Sequence, residues 1–210
     1  MQKNTTAIID YGVGNVFSLQ SSLDRVGHTG LVTGDARKIA DSARIILPGV
    51  GAFPDAARKL RETGLFDVVL AEVKKGKPLL GICLGMQLLF DKSYEYGETD
   101  GLGLLPGVVA PIKPLLPQGA KVPHMGWNSL VFTEAGRESA LFRHIPDGAD
   151  VYFVHSFSAQ QCDSVLLAST DYSGAQLTAA AGRENVLGCQ FHPEKSGETG
   201  LRILTGFCEL

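Results

Sequence analysis

The segment Pro78-Leu79-Leu80-Gly81-Ile82-Cys83-Leu84-Gly85-Met86-Gln87 sets a cysteine between two glycines at the end of an apolar run. Gly-x-Cys-x-Gly is the cysteine counterpart of the Gly-x-Ser-x-Gly nucleophile elbow, where a strand turns sharply into a helix and presents its nucleophile. Backbone approaches backbone on both sides of such a turn, so Gly81 and Gly85 stand where a Cβ would clash. The turn sets the sulfur of Cys83 at a helix N-terminus, where unpaired N–H groups favour negative charge, and the sulfur is expected to be reactive. The plain alternative is a core cysteine between chance glycines; the strand before it and the helix after it argue against that.

A sulfur nucleophile needs an imidazole to carry protons, and the imidazole needs a third group to fix its tautomer. Val186-Leu187-Gly188-Cys189-Gln190-Phe191-His192-Pro193-Glu194 offers both. His192 follows a buried strand, at the strand end where parallel sheets place chemistry. Glu194 lies two residues on, across a proline whose fixed φ lets it fold back. His155, in Phe153-Val154-His155-Ser156-Phe157, is the rival base, but no carboxylate lies near it in sequence. Attack on an amide creates an oxyanion that two aimed N–H donors stabilise. One would be the Leu84 N–H, and the other would come from Pro48-Gly49-Val50-Gly51, at Val50 or Gly51.

These groups require a strand, a turn and a helix in register. In the first half, strands at Ala7–Asp10, 31–33, Arg44–Leu47 and Pro78–Cys83 alternate with helices at 17–26, from Pro54, at 65–73 and at 86–90. This alternation predicts a mostly parallel sheet with crossover helices. From Gly101 the pattern changes to strands joined by turns, at 108–112, 130–132, 151–157, 165–169 and 186–191, before a terminal helix at 201–208. One domain over 1–210 is expected.

A formal charge of -3 with both signs scattered gives no stripe for a nucleic-acid backbone and no polybasic membrane patch. The polar start, Met1 to Thr6, reads as free of a signal peptide, so a cytoplasmic protein is expected. Cys83, Cys162, Cys189 and Cys208 have neither disulfide-framework nor metal-ligand spacing. Neither metal nor cofactor is expected.

Taken together, the Gly81 to Gln87 elbow, the Pro48-Gly49 loop and Phe191-His192-Pro193-Glu194 resemble the class I, or triad, glutamine amidotransferases over nearly the whole chain, in order. The resemblance implies a flavodoxin-like open sheet, a Cys83-His192-Glu194 triad and L-glutamine as substrate. It also implies that Gln87 and Glu95 hold the amino-acid end of glutamine, with the backbone around His155, Ser156 and Phe157 closing the pocket. Within the family, Asp10 to Asn15, Pro48 to Phe53, Val122 to Asn128 and Tyr152 to Phe157 most resemble glutaminase subunits that feed ammonia to a separate, barrel-shaped cyclase in histidine biosynthesis. That likeness implies a heterodimer whose docking face includes Asn15, His124, Met125, Trp127, Asn128 and Tyr152. A stand-alone cysteine hydrolase or peptidase, a glutaminase for another synthase, and a catalytically dead scaffold are the competing readings.

Overall fold

Strands covered by helices on both sides must be apolar on both faces, and four of the runs above meet that condition. The computed structural model describes residues 2–210; Met1, which opens the segment read as free of a signal peptide, lies outside the described residues. In chain order the elements are β1 (Gln2–Ile9), α1 (Val16–Arg25), β2 (Thr29–Thr33), α2 (Ala36–Asp41), β3 (Ser42–Leu47), α3 (Phe53–Glu62), α4 (Leu65–Lys74), β4 (Leu79–Ile82) and α5 (Leu84–Gln87). There follow β5 (Phe90–Ser93), β6 (Thr99–Asp100), β7 (Leu105–Pro111), β8 (His124–Ser129), β9 (Val131–Phe132), α6 (Glu134–Glu138), β10 (Asp150–His155) and β11 (Phe157–Gln160). The chain closes with β12 (Leu166–Tyr172), β13 (Ala175–Arg183), β14 (Val186–Cys189) and α7 (Gly197–Cys208).

One eight-stranded sheet runs in the order β2-β1-β3-β4-β14-β13-β12-β9. From β2 to β14 every pairing is parallel, and from β14 to β9 every pairing is antiparallel. The parallel part has the flavodoxin-like order 2-1-3-4-5 with β14 as its fifth strand, and the expected mostly parallel sheet with flanking helices is present. Period-two alternation divides the core. Ala7, Ile9, Ile45 and Leu47 pack with Phe53, Leu60 and Val69 of α3 and α4, while Ile8, Ile46, Leu80 and Ile82 pack with Leu19, Leu23, Ile203 and Phe207 of α1 and α7. Two smaller sheets, β11-β7-β5-β6 and the ribbon β10-β8, fill the long insertion between β4 and β14.

The apolar run read as a helix over 86–90 divides instead: α5 stops at Gln87, and Phe90 starts β5, pairing with Leu105. Phe17, at the start of the helix expected over 17–26, is 76% exposed, and the buried face of α1 is carried by Leu19, Ser22 and Leu23. The expected strand at 151–157 breaks at Ser156 into β10 and β11.

Candidate active site

Cys83 occupies the sharp turn between β4 and α5 at φ 54° and ψ -113°. A side chain at positive φ costs on the order of 1–3 kcal/mol and persists only where its surroundings over-determine it. Here the Cys83 N–H donates to Cys189 O at 2.8 Å, and its carbonyl accepts the Gln87 N–H at 3.1 Å. The glycines are required as reasoned: a Cβ on Gly81 would stand 2.7 Å from Gly85 O, and one on Gly85 would run into Leu47 O. Because α5 is a single turn of four residues, its dipole contributes little, and the turn's geometry does most of the positioning.

His192 lies three residues beyond β14, its N–H donating to Tyr152 O at 2.9 Å. Its Nδ1 faces Glu194 Oε1 at 2.9 Å, with side-chain exposures of 3% and 2%. The proline between them gives the fold-back inferred from the sequence. Among the described residues Nε2 has no hydrogen-bond partner of ordinary geometry, yet Cys83 lies close enough to act on it. Burial disfavours the charged ring, but the Cys83 sulfur and the Glu194 carboxylate outweigh burial and hold the His192 imidazolium up to about 10. Burial pushes the other three thiols up: Cys162, Cys189 well above the ordinary value, and Cys208 to about 11.

Cys83 and His192 line a cavity of about 340 Å³ together with Val50, Gly51, Leu84, Gln87, Glu95, His155, Ser156 and Phe157. Glu194 does not line the cavity; it stands behind His192, on the Nδ1 side of the ring. The Pro48-Gly49 stem packs directly on the elbow, a Cβ on Gly49 standing 2.7 Å from Gly85 N. Buried Tyr11 donates its hydroxyl to Pro48 O at 2.7 Å and holds that stem from the other side.

Glu95 is buried, two residues beyond β5. The N-cap of α3, Ala52, has no side-chain acceptor to offer, and Glu95 Oε2 takes the Phe53 N–H at 2.7 Å from 42 residues away. This ties the pocket carboxylate to the helix that follows the Pro48-Gly49-Val50-Gly51 loop. Gln87 Nε2 donates to Phe157 O at 3.0 Å. His155 is unsuited to be the base: burial, outweighing the Phe157 O contact and joined by His124 and His192, pushes it down to about 3, so its ring is neutral. Its Nδ1–H donates to Phe157 O at 2.8 Å, and its Nε2 lies 2.9 Å from His124 Nδ1.

On the ribbon, Met125 and Trp127 are 63% and 56% exposed, and Tyr152 meets Trp127 edge-on at 6.1 Å between ring centroids. Asn15 precedes α1 at its N-cap position without a side-chain capping hydrogen bond, and Asn128 is half-buried, donating to Asp171 O at 2.9 Å. His124 departs from its expected outward position. It is fully buried, stacked between Phe153 and Tyr172 at 4.7 and 4.1 Å, and supports the ribbon from within. Lys195, Pro123 and Val154 also line the cavity and carried no sequence signal of a role; Lys195 follows Glu194 directly and could have been suspected on that ground. Among the described residues no cluster of three or more His, Cys, Asp or Glu is placed to hold a metal ion, and no helix is long and apolar enough to cross a membrane.

The family model described as glutamine amidotransferase class-I matches residues 7–209. The chain is 48% identical over 204 residues to "Imidazole glycerol phosphate synthase subunit HisH" of Caldanaerobacter subterraneus subsp. tengcongensis, covering 97% of each chain. It is 46% identical over 202 residues to the protein of the same description from Lactococcus lactis subsp. lactis, covering 96% of each. Among solved structures, "PurLQS from Thermotoga maritima" superposes with a TM-score of 0.74 at 21% identity, covering 99% of both chains. A "glutamine amidotransferase" crystal structure superposes with a TM-score of 0.73 at 18% identity, covering 97% of this chain and 99% of the other. At these identities the two structures speak to the fold alone.

Proposed function

The chain belongs to the class I glutamine amidotransferases, and on that premise we infer that it hydrolyses L-glutamine at Cys83 as the glutaminase subunit of imidazole glycerol phosphate synthase, supplying ammonia to the cyclase subunit for histidine biosynthesis. The whole chain acts as one amidotransferase domain, in the cytoplasm, paired with the cyclase in a heterodimer.

The Cys83 sulfur attacks the side-chain amide carbon of glutamine, and the carbonyl electrons move to oxygen. The Leu84 N–H and one from Val50 or Gly51 receive that oxyanion. His192 delivers a proton to the amide nitrogen, the C–N bond breaks and ammonia leaves, so a glutamyl thioester remains on Cys83. His192 then takes a proton from water, whose oxygen adds to the thioester; collapse releases glutamate and returns the sulfur. Glu194 holds the imidazole in the tautomer that presents Nε2 to the sulfur. Gln87, Glu95 and the backbone of 155–157 hold the amino-acid end of the substrate. Asn15, Met125, Trp127, Asn128 and Tyr152 form the cyclase-facing surface, with His124 behind it.

The observation that carries this reading is the buried His192–Glu194 pair, 2.9 Å apart, with Cys83 raising the His192 cation from its other side. The test is ammonia production with the cyclase present. Cys83→Ala should abolish synthesis from glutamine and leave synthesis from ammonium salts intact. Loss of both, or of neither, would contradict it.

A further inference from the structure

Gln190 is a fully buried amide that the reaction scheme above leaves unused. It follows β14 directly, and its N–H extends the sheet pairing by donating to Ala179 O at 2.8 Å. A strand-end residue two positions before the base is thereby fixed in place, and its side chain turns toward the elbow.

The direction of its amide is decided by a series of partners that starts at a main-chain carbonyl. Phe157 O can only accept, so the Gln87 atom 3.0 Å from it is the nitrogen Nε2. That nitrogen carries a second hydrogen, so the Gln190 atom 2.9 Å away is the acceptor Oε1. Nε2 of Gln190 is left facing the Cys83 sulfur at 3.7 Å, within reach of an N–H···S hydrogen bond. Val154 O, 4.0 Å from the sulfur on another side, can only accept, so it offers an anionic sulfur nothing.

We propose that Gln190 is a further catalytic residue: its Nε2–H donates to the Cys83 sulfur, stabilising the anionic form and fixing its line of attack, while Gln87 locks the amide in the orientation that makes this possible. The substrate pocket and the nucleophile then share one hydrogen-bonded unit, Phe157–Gln87–Gln190–Cys83. A residue that merely filled space here would be replaceable by an apolar side chain of equal length without any change at the sulfur.

This inference rests on Cys83 being the nucleophile, and the test separates the two. Iodoacetamide alkylation of Cys83 in the folded full-length chain reads the sulfur without glutamine, and turnover is read in the complex with the cyclase. Gln190→Met keeps the length and removes the donor; Gln190→Leu removes the same donor with a shorter, branched side chain. Both should slow alkylation about tenfold and lower kcat at least as much while KM changes less, the factor expected for a hydrogen bond to a charged partner. Wild-type Cys83 reacting no faster than in urea would remove the nucleophile assignment itself. A reactive wild type together with unchanged alkylation and kcat in both variants would overturn the role of Gln190 alone. A measurement that depends on neither variant folding compares side-chain amide proton resonances of the wild type and Cys83→Ala. One Gln190 Nε2 proton should move upfield when its acceptor is lost, and no movement would likewise overturn the proposal.

Discussion

Gly49→Ala is the most discriminating perturbation of the proposed oxyanion loop. A Cβ at position 49 would lie 2.7 Å from Gly85 N, 2.9 Å from Leu84 Cβ and 3.1 Å from Leu84 C. The closest of these atoms is backbone, so no rotamer change relieves the overlap. Ordinary contact begins near 3.4 Å, so the loop must retreat by about 3.4 - 2.7 = 0.7 Å. A donor placed about 2.9 Å from an oxyanion is carried by that shift to about 3.6 Å, beyond hydrogen-bonding range. Loss of one such donor costs on the order of 10²–10³ in kcat, and the overpacking adds roughly 1–3 kcal/mol of destabilisation. Gly51→Ala acts by a different route: nothing lies within 4 Å of the added carbon, so the stem keeps its distance from the elbow, but the φ of 94° strains alanine at one of the two candidate donors. Steady-state glutaminase assays in the complex should show a collapse of kcat for Gly49→Ala, while Cys83 alkylation stays near wild type because the sulfur is not displaced. A folded Gly49→Ala enzyme with wild-type kcat would falsify the assignment of the second donor to this loop.

Glu194→Gln should lower kcat roughly a thousandfold or more, as loss of a triad's orienting carboxylate does. Its effect on stability has a defined sign. The His192 cation is raised to about 10 in the fold, above the ordinary imidazole value of about 6.5. The stabilisation Glu194 lends to it is therefore complete below about pH 6.5 and is lost as pH rises through about 10. Urea unfolding of the two proteins should differ most on the acid side and converge on the alkaline side; a constant difference would count against the pairing. Lys77→Met should destabilise by about 1–3 kcal/mol, since it takes away one of the two ammonium groups on buried Glu72, 2.8 Å from Lys77 Nζ, leaving Lys75 Nζ at 2.6 Å, and frees the carbonyls of Ile39 and Ala40 at the end of α2. Its melting temperature should drop sharply while Cys83 alkylation in the folded fraction is unchanged. Trp127→Ala should leave the melting temperature within a few degrees, because the ring is 56% exposed, yet weaken cyclase binding by about 2 kcal/mol or more in calorimetric titration; unaltered affinity would remove Trp127 from the interface.

The elbow was legible in sequence because close backbone approach forces glycine at fixed spacing, and Gly81, Cys83 and Gly85 record that constraint locally. His192 and Glu194 were legible for a similar reason, since a single proline supplies the fold-back. Where the structure departed from expectation, the local signal pointed elsewhere. The run Leu84 to Phe90 is apolar enough for either helix or strand, and only the distant partner Leu105 decides that Phe90 belongs to β5. The strand β13, Ala175–Arg183, is rich in alanine, a helix former, and pairing with β12 and β14 overrides that propensity. Gln190 carried no signal of its own: its partners lie 103 and 107 residues away, and one polar residue in a strand has no spacing to betray it.

The same geometry makes docking and chemistry difficult to separate. In the ribbon, Trp127 pairs with Tyr152, Met125 with Val154 and His124 with His155. The exposed side chains of β8 thus lie one hydrogen-bonded rung from the strand whose Val154 carbonyl stands 4.0 Å from the Cys83 sulfur and whose His155 lines the cavity. His124 of β8 is stacked between Phe153 of β10 and Tyr172 of β12, which packs the ribbon against the large sheet. A partner that bound the exposed side chains of Met125 and Trp127 would therefore sit one strand away from the cavity that Cys83 lines, with no loop between.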